Sequence, residues 1–158
     1  MAKEIERKYL IDQTRWQPTA EGSFIMQGYL LRSKELTIRL RLKDNRAFLT
    51  LKGAACGISR SEFEYEIPPG DAQAMLDEYA NGNMVCKKRY LTNVGKHCWE
   101  VDIFEGANRG LAVAEIELES EDEEFILPDW VTREVSGDIR YNNAYLAEHP
   151  YTGWQDQV

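Results

Sequence analysis

Apolar and polar residues alternate with a period of two through most of the chain. Between residues 36 and 43, Leu36, Ile38, Leu40 and Leu42 alternate with Thr37, Arg39, Arg41 and Lys43. This is the pattern of a strand whose two faces meet different surroundings. The same period predicts strands over 3–11, 23–32, 46–52, 60–67, 84–92, 96–104 and 112–119. Asp44-Asn45 reads as a tight turn, Asn93-Val94-Gly95 as a second connection, and Pro68 and Pro69 stop the fifth strand. Over 71–80 the period lengthens: Ala72, Met75, Leu76 and Tyr79 recur at helical spacing, with Asp71 as N-cap and Gly82 closing the helix. The tail is expected to turn helical, with Asp129 and Asn142 as caps. Eight strands with short connections predict a mainly β (α+β) domain over 1–158. The expected form is an eight-stranded antiparallel β-barrel with a few covering helices, because closure removes exposed sheet edges.

The polar half of the alternation is unusual. A wet sheet face ordinarily mixes neutral and charged residues, yet here Glu, Asp, Arg and Lys dominate and are sorted by sign. Glu4 and Glu6 share one strand, Glu62, Glu64 and Glu66 another, Glu100 and Asp102 a third, and Glu115, Glu117 and Glu119 a fourth. Arg39, Arg41 and Lys43 make a purely basic strand. Residues i and i+2 lie about 6.5–7 Å apart on one face, so like charges repel, the more so where water is thinned out. Acidic pairs invite hard divalent cations, and basic pairs invite phosphate or carboxylate oxygens. Placed inside a barrel just wide enough for one small ligand, these faces predict a wet tunnel with acidic and basic walls. The apolar faces, including Ile5, Leu36, Ile38, Leu40, Phe63 and Tyr65, then point outward and need cover from the helices at 71–80 and near 129–147.

Composition narrows the partners. A chain of 158 residues suits one domain. A net charge of −8 argues against duplex nucleic acid but not against a small phosphate ligand whose counterions are metals. No apolar run is long enough to span a bilayer, and charge from residue 3 onward is unlike a secretory signal, which predicts a cytoplasmic protein without membrane contact. Cys56, Cys86 and Cys98 are spaced for neither a disulfide framework nor a zinc site, and are expected to be buried or half-buried thiols.

The ordered set of charged motifs resembles one family. Glu4-Ile5-Glu6-Arg7-Lys8 matches the ExExK signature of the CYTH superfamily, the triphosphate tunnel metalloenzymes. It is followed by Thr37-Ile38-Arg39-Leu40-Arg41, Leu49-Thr50-Leu51-Lys52-Gly53, Glu62-Phe63-Glu64, Lys87-Lys88-Arg89, Glu100-Val101-Asp102 and Glu115-Ile116-Glu117. Ser136 to Tyr141 is similar to the family's closing segment only loosely. The resemblance implies a charged tunnel dependent on Mg²⁺ or Mn²⁺ and acting on triphosphates, with the inorganic triphosphatase branch as the best match. It implies metal binding by Glu4, Glu6, Glu115 and Glu117, and a second ion held or hydrated by Glu62, Glu64 and Asp102. Lys8, Arg39, Arg41, Lys52, Lys87, Arg89 and Arg140 become phosphate-binding residues, with Lys8, Arg41 and Lys52 as the catalytic ones. Alternation alone does not fix which parity of strand 84–92 faces inward; the resemblance selects Lys87 and Arg89. Alternative activities on this scaffold are a class IV adenylyl cyclase, which needs room for adenine, and a thiamine triphosphatase. The latter needs an aromatic site, for which Trp16, Trp99, Trp130 and Trp154 are the candidates. A polyphosphate- or nucleotide-binding module without catalysis would keep the basic strand and need fewer carboxylates. Closed tunnel or open cleft, and the oligomeric state, stay open at this level.

Overall fold

The computed structural model describes residues 3–154, the side chains of 81–83 excepted. Strands β1 (Lys3–Ile11), β2 (Ser23–Arg32), β3 (Leu36–Lys43), β4 (Arg46–Gly53) and β5 (Ser59–Ile67) precede helix α1 (Pro69–Tyr79). Strands β6 (Asn81–Val94), β7 (His97–Glu105), β8 (Ala112–Glu117) and β9 (Val131–Glu134) follow, and the last helix is α2 (Asn143–Glu148). The sheet order is β5-β4-β3-β2-β6-β7-β8-β1-β9, all antiparallel, with β5 returning to β1. Eight strands thus close a barrel and β9 lies outside the ring. The two tightest hairpins turn through Asp44 (φ 57°) and Gly95 (φ 62°).

Closure is narrow. Only Lys3, Glu4 and Ile5 pair with Ser61, Arg60 and Ser59. Farther along, the same edge of β1 pairs with β9 through Tyr9, Leu10 and Ile11. From Glu62 onward β5 has no partner on that side among the described residues. The tunnel is therefore slit along one flank. This is also why the helix expected at Asp129 is absent: Val131–Glu134 fills the β1 edge that β5 leaves, and a strand that gains a ladder partner outweighs a weak helical preference. Asp71 is likewise not the N-cap of α1. Pro68 holds that place, because Pro69 carries a preset φ suited to the first helical position. The helix ends at Tyr79 with Ala80 as C-cap, so Gly82 belongs to β6.

Alternation sorts the side chains as expected, but the cover differs. α1 lies over β2–β4, packing Ala72 and Leu76 on Leu40 and Ala47. Gly28 permits this approach: a Cβ there would stand 2.7 Å from both Leu76 Cδ2 and Met84 Sδ. The outer face of β1, β7 and β8 is covered not by a helix but by loop residues Trp16, Phe125 and Trp130, which surround Tyr9 and Trp99. Phe63 and Tyr65 stay uncovered. α2 does not cover the outside either. Its Leu146 and Ala147 meet Tyr29, Val85, Phe104 and Val113, the apolar members of the inward-facing parity, and so plug one end of the barrel. Leu146 is fully buried, and Leu146→Ala is expected to lower unfolding free energy in denaturant by about 2–5 kcal/mol.

Candidate active site

The remaining inward positions enclose a cavity of about 260 Å³. Seven carboxylates line it (Glu4, Glu6, Glu62, Glu64, Glu100, Glu115 and Glu117), and so do seven cations (Lys8, Arg39, Arg41, Lys52, Arg60, Lys87 and Arg89). A chain of net charge −8 thus builds a lining in formal balance. Cross-strand register produces this: Glu6 faces Glu117 and Lys8 faces Glu115, Lys52 faces Glu62, Arg89 faces Asp102 and Glu4 faces Arg60.

Balance in number is not balance in place. Near the β1–β5 seam, Lys52 Nζ lies 3.1 Å from both Glu4 carboxylate oxygens and 3.5 Å from Glu62, with Arg60 3.7 Å from Glu4. Arg39 donates to Thr50 Oγ1 at 3.1 Å and to Glu64 at 3.4 Å. Arg89 grips Asp102 with two bonds of 2.7 and 2.9 Å and reaches Glu115 and Glu100, both at 3.3 Å. Lys8 Nζ donates to the Tyr141 carbonyl at 3.1 Å and stands 3.9 Å from Glu115.

Three groups are left over. Arg41 reaches no carboxylate among the described residues; its Nε donates to the Gln27 amide oxygen at 2.9 Å. Burial, then repulsion from Arg39 and Arg89, pushes its pKa down to about 10. Glu6 and Glu117 have no ion-pair partner among the described residues. Burial, then the charges of Glu115 and Glu4, holds Glu6 well above the usual carboxylate range. Glu117 is raised by burial, then by Glu4 and Glu100, and Glu62 by burial, then by Glu4. Glu115 runs the other way: against burial, Lys8 and Arg89 hold it below the usual carboxylate range, so of that pair Glu6 is the one whose neutral form is favoured. One wall therefore lacks an anion and the facing wall lacks a cation.

Burial pushes Lys87 down to about 7 although Asp102 lies 2.8 Å away, because Arg89 already takes both Asp102 oxygens and itself repels Lys87. Its Nζ also donates to Asn143 Oδ1 at 2.9 Å, tying the barrel wall to α2. Lys87 and Arg89 point inward and Lys88 does not line the cavity, which fixes the parity.

Two expected site residues are elsewhere. Asp102 sits behind the lining, 1% exposed, with its oxygens spent on Arg89 and Lys87. That placement fits orientation of those two cations rather than direct contact with an ion in the cavity. Arg140 does not reach the cavity; it chelates Asp138 and lies over the Tyr141 and Trp154 rings. Conversely, Tyr29, Thr37, Arg60, Asn142 and Asn143 line the cavity without having been singled out. Arg60 and Thr37 continue the inward parity of Glu62 and Arg39, a signal the alternation carried. The two asparagines arrive by the folding-in of α2, which no local pattern announces. Cys56 and Cys98, expected to be at least half-buried, are exposed.

The donor set fits a divalent cation in a limited sense. Among the described residues, no three carboxylate, histidine or cysteine side chains form a ready-made cage. Mg²⁺-like ions, however, are commonly bound by one or two carboxylates plus substrate phosphates. The crowding of Glu6 by Glu115 and Glu4, which raises its pKa, marks where such an ion is wanted.

A closed antiparallel barrel with an oppositely charged, wet lumen defines a class of proteins that hold a polyanion together with cations. Residues 2–151 match the CYTH domain model, and the chain belongs to that family. It is 41% identical over 156 residues to an inorganic triphosphatase of Acetivibrio thermocellus, covering 99% of this chain and 100% of that protein. It is 36% identical over 148 residues to an inorganic triphosphatase of Nitrosomonas europaea, covering 91% and 96%. A crystal structure of an inorganic triphosphatase superposes with a TM-score of 0.64 at 34% identity, over 93% of this chain and 95% of that one.

Proposed function

We propose that this chain, a single domain over 1–158 acting in the cytoplasm, hydrolyses inorganic tripolyphosphate to pyrophosphate and phosphate. The observation that carries the reading is Arg41, a half-buried guanidinium without a carboxylate partner among the described residues, across the lumen from carboxylates that lack a cation there. The relatives named inorganic triphosphatase support it. Triphosphatases of the CYTH family depend on metal ions; here the ion is proposed to be Mg²⁺ or Mn²⁺, with two in the active complex.

Arg39, Arg41, Lys87 and Arg89 would clamp phosphate oxygens, Arg39 and Arg41 with two donors each and Arg89 through Nη1. Lys52, held by Glu4 and Glu62, would meet one end of the anion near the β1–β5 seam, and Lys8 would orient the attacking water or stabilise the departing oxygen. Glu6 and Glu117, with Glu4 and Glu115 beside them, would hold one ion, and Glu62 and Glu64 the second. When bound, the metal neutralises phosphate charge and lowers the pKa of a coordinated water. Phosphoryl transfer needs alignment and neutralisation more than covalent help, so no nucleophilic side chain is required. Hydrolysis breaks one terminal P–O–P bond; water supplies the oxygen of the released phosphate, and its protons go to the products or solvent.

Cavity size and lining set the substrate. Tyr29 is the one aromatic residue there among the described residues. Trp16, Trp99 and Trp130 pack in the outer cluster and Trp154 against the barrel plug, so no indole is offered to a thiamine or adenine ring. A panel of tripolyphosphate, ATP, thiamine triphosphate and 5′-triphosphate RNA tests this. Tripolyphosphate should be used fastest and ATP should give no cyclic AMP; faster use of a nucleotide or thiamine ester would overturn the assignment.

A pH dependence follows. Glu6 has a folded-state pKa above its unfolded one, so as pH falls it takes up a proton before an ordinary carboxylate would, and that proton competes with the ion. The Mg²⁺ concentration for half-maximal rate should rise on acidification, while saturating Mg²⁺ recovers the rate. A half-saturation independent of pH would count against Glu6 as a ligand.

A further inference from the structure

We infer that Gln27, which touches no part of the cavity surface, is a positioning residue that sets both Arg41 and the Tyr29 hydroxyl for the bound phosphates. The inference rests on the triphosphatase reading above. Gln27 lies on β2 with the inward parity, wholly buried, paired across the sheet with Arg41 on β3 and Val85 on β6. A buried primary amide at the foot of a charged lumen costs stability unless its groups are bonded. Its oxygen accepts from Arg41 Nε at 2.9 Å, and its nitrogen lies 2.9 Å from the Tyr29 hydroxyl oxygen.

The orientation of this bridge is forced. A guanidinium Nε–H can only donate, so the amide oxygen must face Arg41 and the amide NH₂ must face Tyr29. The Tyr29 oxygen is then an acceptor toward Gln27, and its own proton must be given elsewhere. Among the described residues no acceptor takes it, and the Tyr29 side chain lines the cavity. The hydroxyl is thereby turned into a donor aimed at the lumen. Arg41, using Nε on Gln27, keeps both terminal NH₂ groups for a phosphate. One buried amide thus places donors from two adjacent strands around a single anion. The assignment makes Tyr29 a phosphate-contacting residue and Gln27 the group acting through it and through Arg41.

The test is a double-mutant cycle with Gln27→Met and Tyr29→Phe, assayed with tripolyphosphate and Mg²⁺. Q27M removes both bonds at similar volume. Through Arg41 it should raise KM in both backgrounds. Through the hydroxyl it should lower kcat by about tenfold where Tyr29 is present and by no more than about twofold in Y29F. Equal kcat factors in the two backgrounds, or wild-type kcat in Q27M, would overturn the inference. Should Q27M fail to fold, Gln27→Glu keeps the acceptor for Arg41 but, ionised, cannot donate to Tyr29; the same loss of kcat confined to the Tyr29 background is expected, and equal factors again overturn it. A wild-type protein without tripolyphosphate hydrolysis would instead overturn the function. Calorimetry then decides the bridge alone: Q27M should weaken tripolyphosphate binding about tenfold, and unchanged binding overturns it.

Discussion

Arg41→Ala is expected to lower kcat/KM for tripolyphosphate by about two to three orders of magnitude while changing the stability of the fold by no more than about 1–3 kcal/mol, the cost of freeing the Gln27 oxygen being offset by removal of an unpaired charge. The two halves of this expectation share one cause. Arg41 is half-buried among cations, has no carboxylate partner among the described residues, and has its pKa pushed down to about 10 by partial desolvation and by Arg39 and Arg89. In the free protein it is a liability, because a charge out of water without a partner is costly. The lumen is lined by charged groups, so truncation leaves space suited to water rather than a dry void. In the complex the same charge meets phosphate oxygens, and its loss falls on the transition state, where charge on the transferred group is spread widest. Rate assays and denaturant unfolding together check this. A large fall in stability alongside the fall in rate would show that Arg41 holds the barrel instead of the anion.

Glu6→Gln should be of similar size, with a loss of about two orders of magnitude in kcat at moderate Mg²⁺. Burial and the neighbouring Glu115 and Glu4 already favour the protonated form of Glu6. Glutamine reproduces that form in shape and in neutral charge. The substitution should therefore be silent in the metal-free protein, with an unchanged thermal midpoint. It should show itself only when an ion is needed: the Mg²⁺ response should weaken and the extra stabilisation by Mg²⁺ with tripolyphosphate should shrink. A destabilised metal-free E6Q protein would mean that Glu6 acts as a structural ion-pair partner.

The alternation at 36–43 was enough to place Arg39 and Arg41 on one face and Leu40 on the other, and that is where β3 puts them. A barrel follows from many such strands with short turns, since period two survives in every hairpin. The tail was less legible for a physical reason. Val131–Glu134 becomes a strand only because β5 leaves the β1 edge free after Ile5, a fact of closure that no local window contains. The apolar inward positions Val85, Phe104 and Val113 likewise gain meaning only when α2 folds into the barrel end. Arg140 illustrates the opposite limit: a basic residue in a familiar segment finds Asp138 two positions away and stays outside the lumen. Gln27 was invisible to a reading based on charge, because its importance lies in two hydrogen bonds across strands.

Phosphorus NMR of tripolyphosphate incubated with the protein and Mg²⁺, before and after EDTA, tests the assignment of an anion site facing a cation site most directly. The expected result is loss of tripolyphosphate with equal appearance of pyrophosphate and phosphate, halted by the chelator. Tripolyphosphate left intact with both Mg²⁺ and Mn²⁺, or cleavage that continues undiminished in EDTA, would contradict the account.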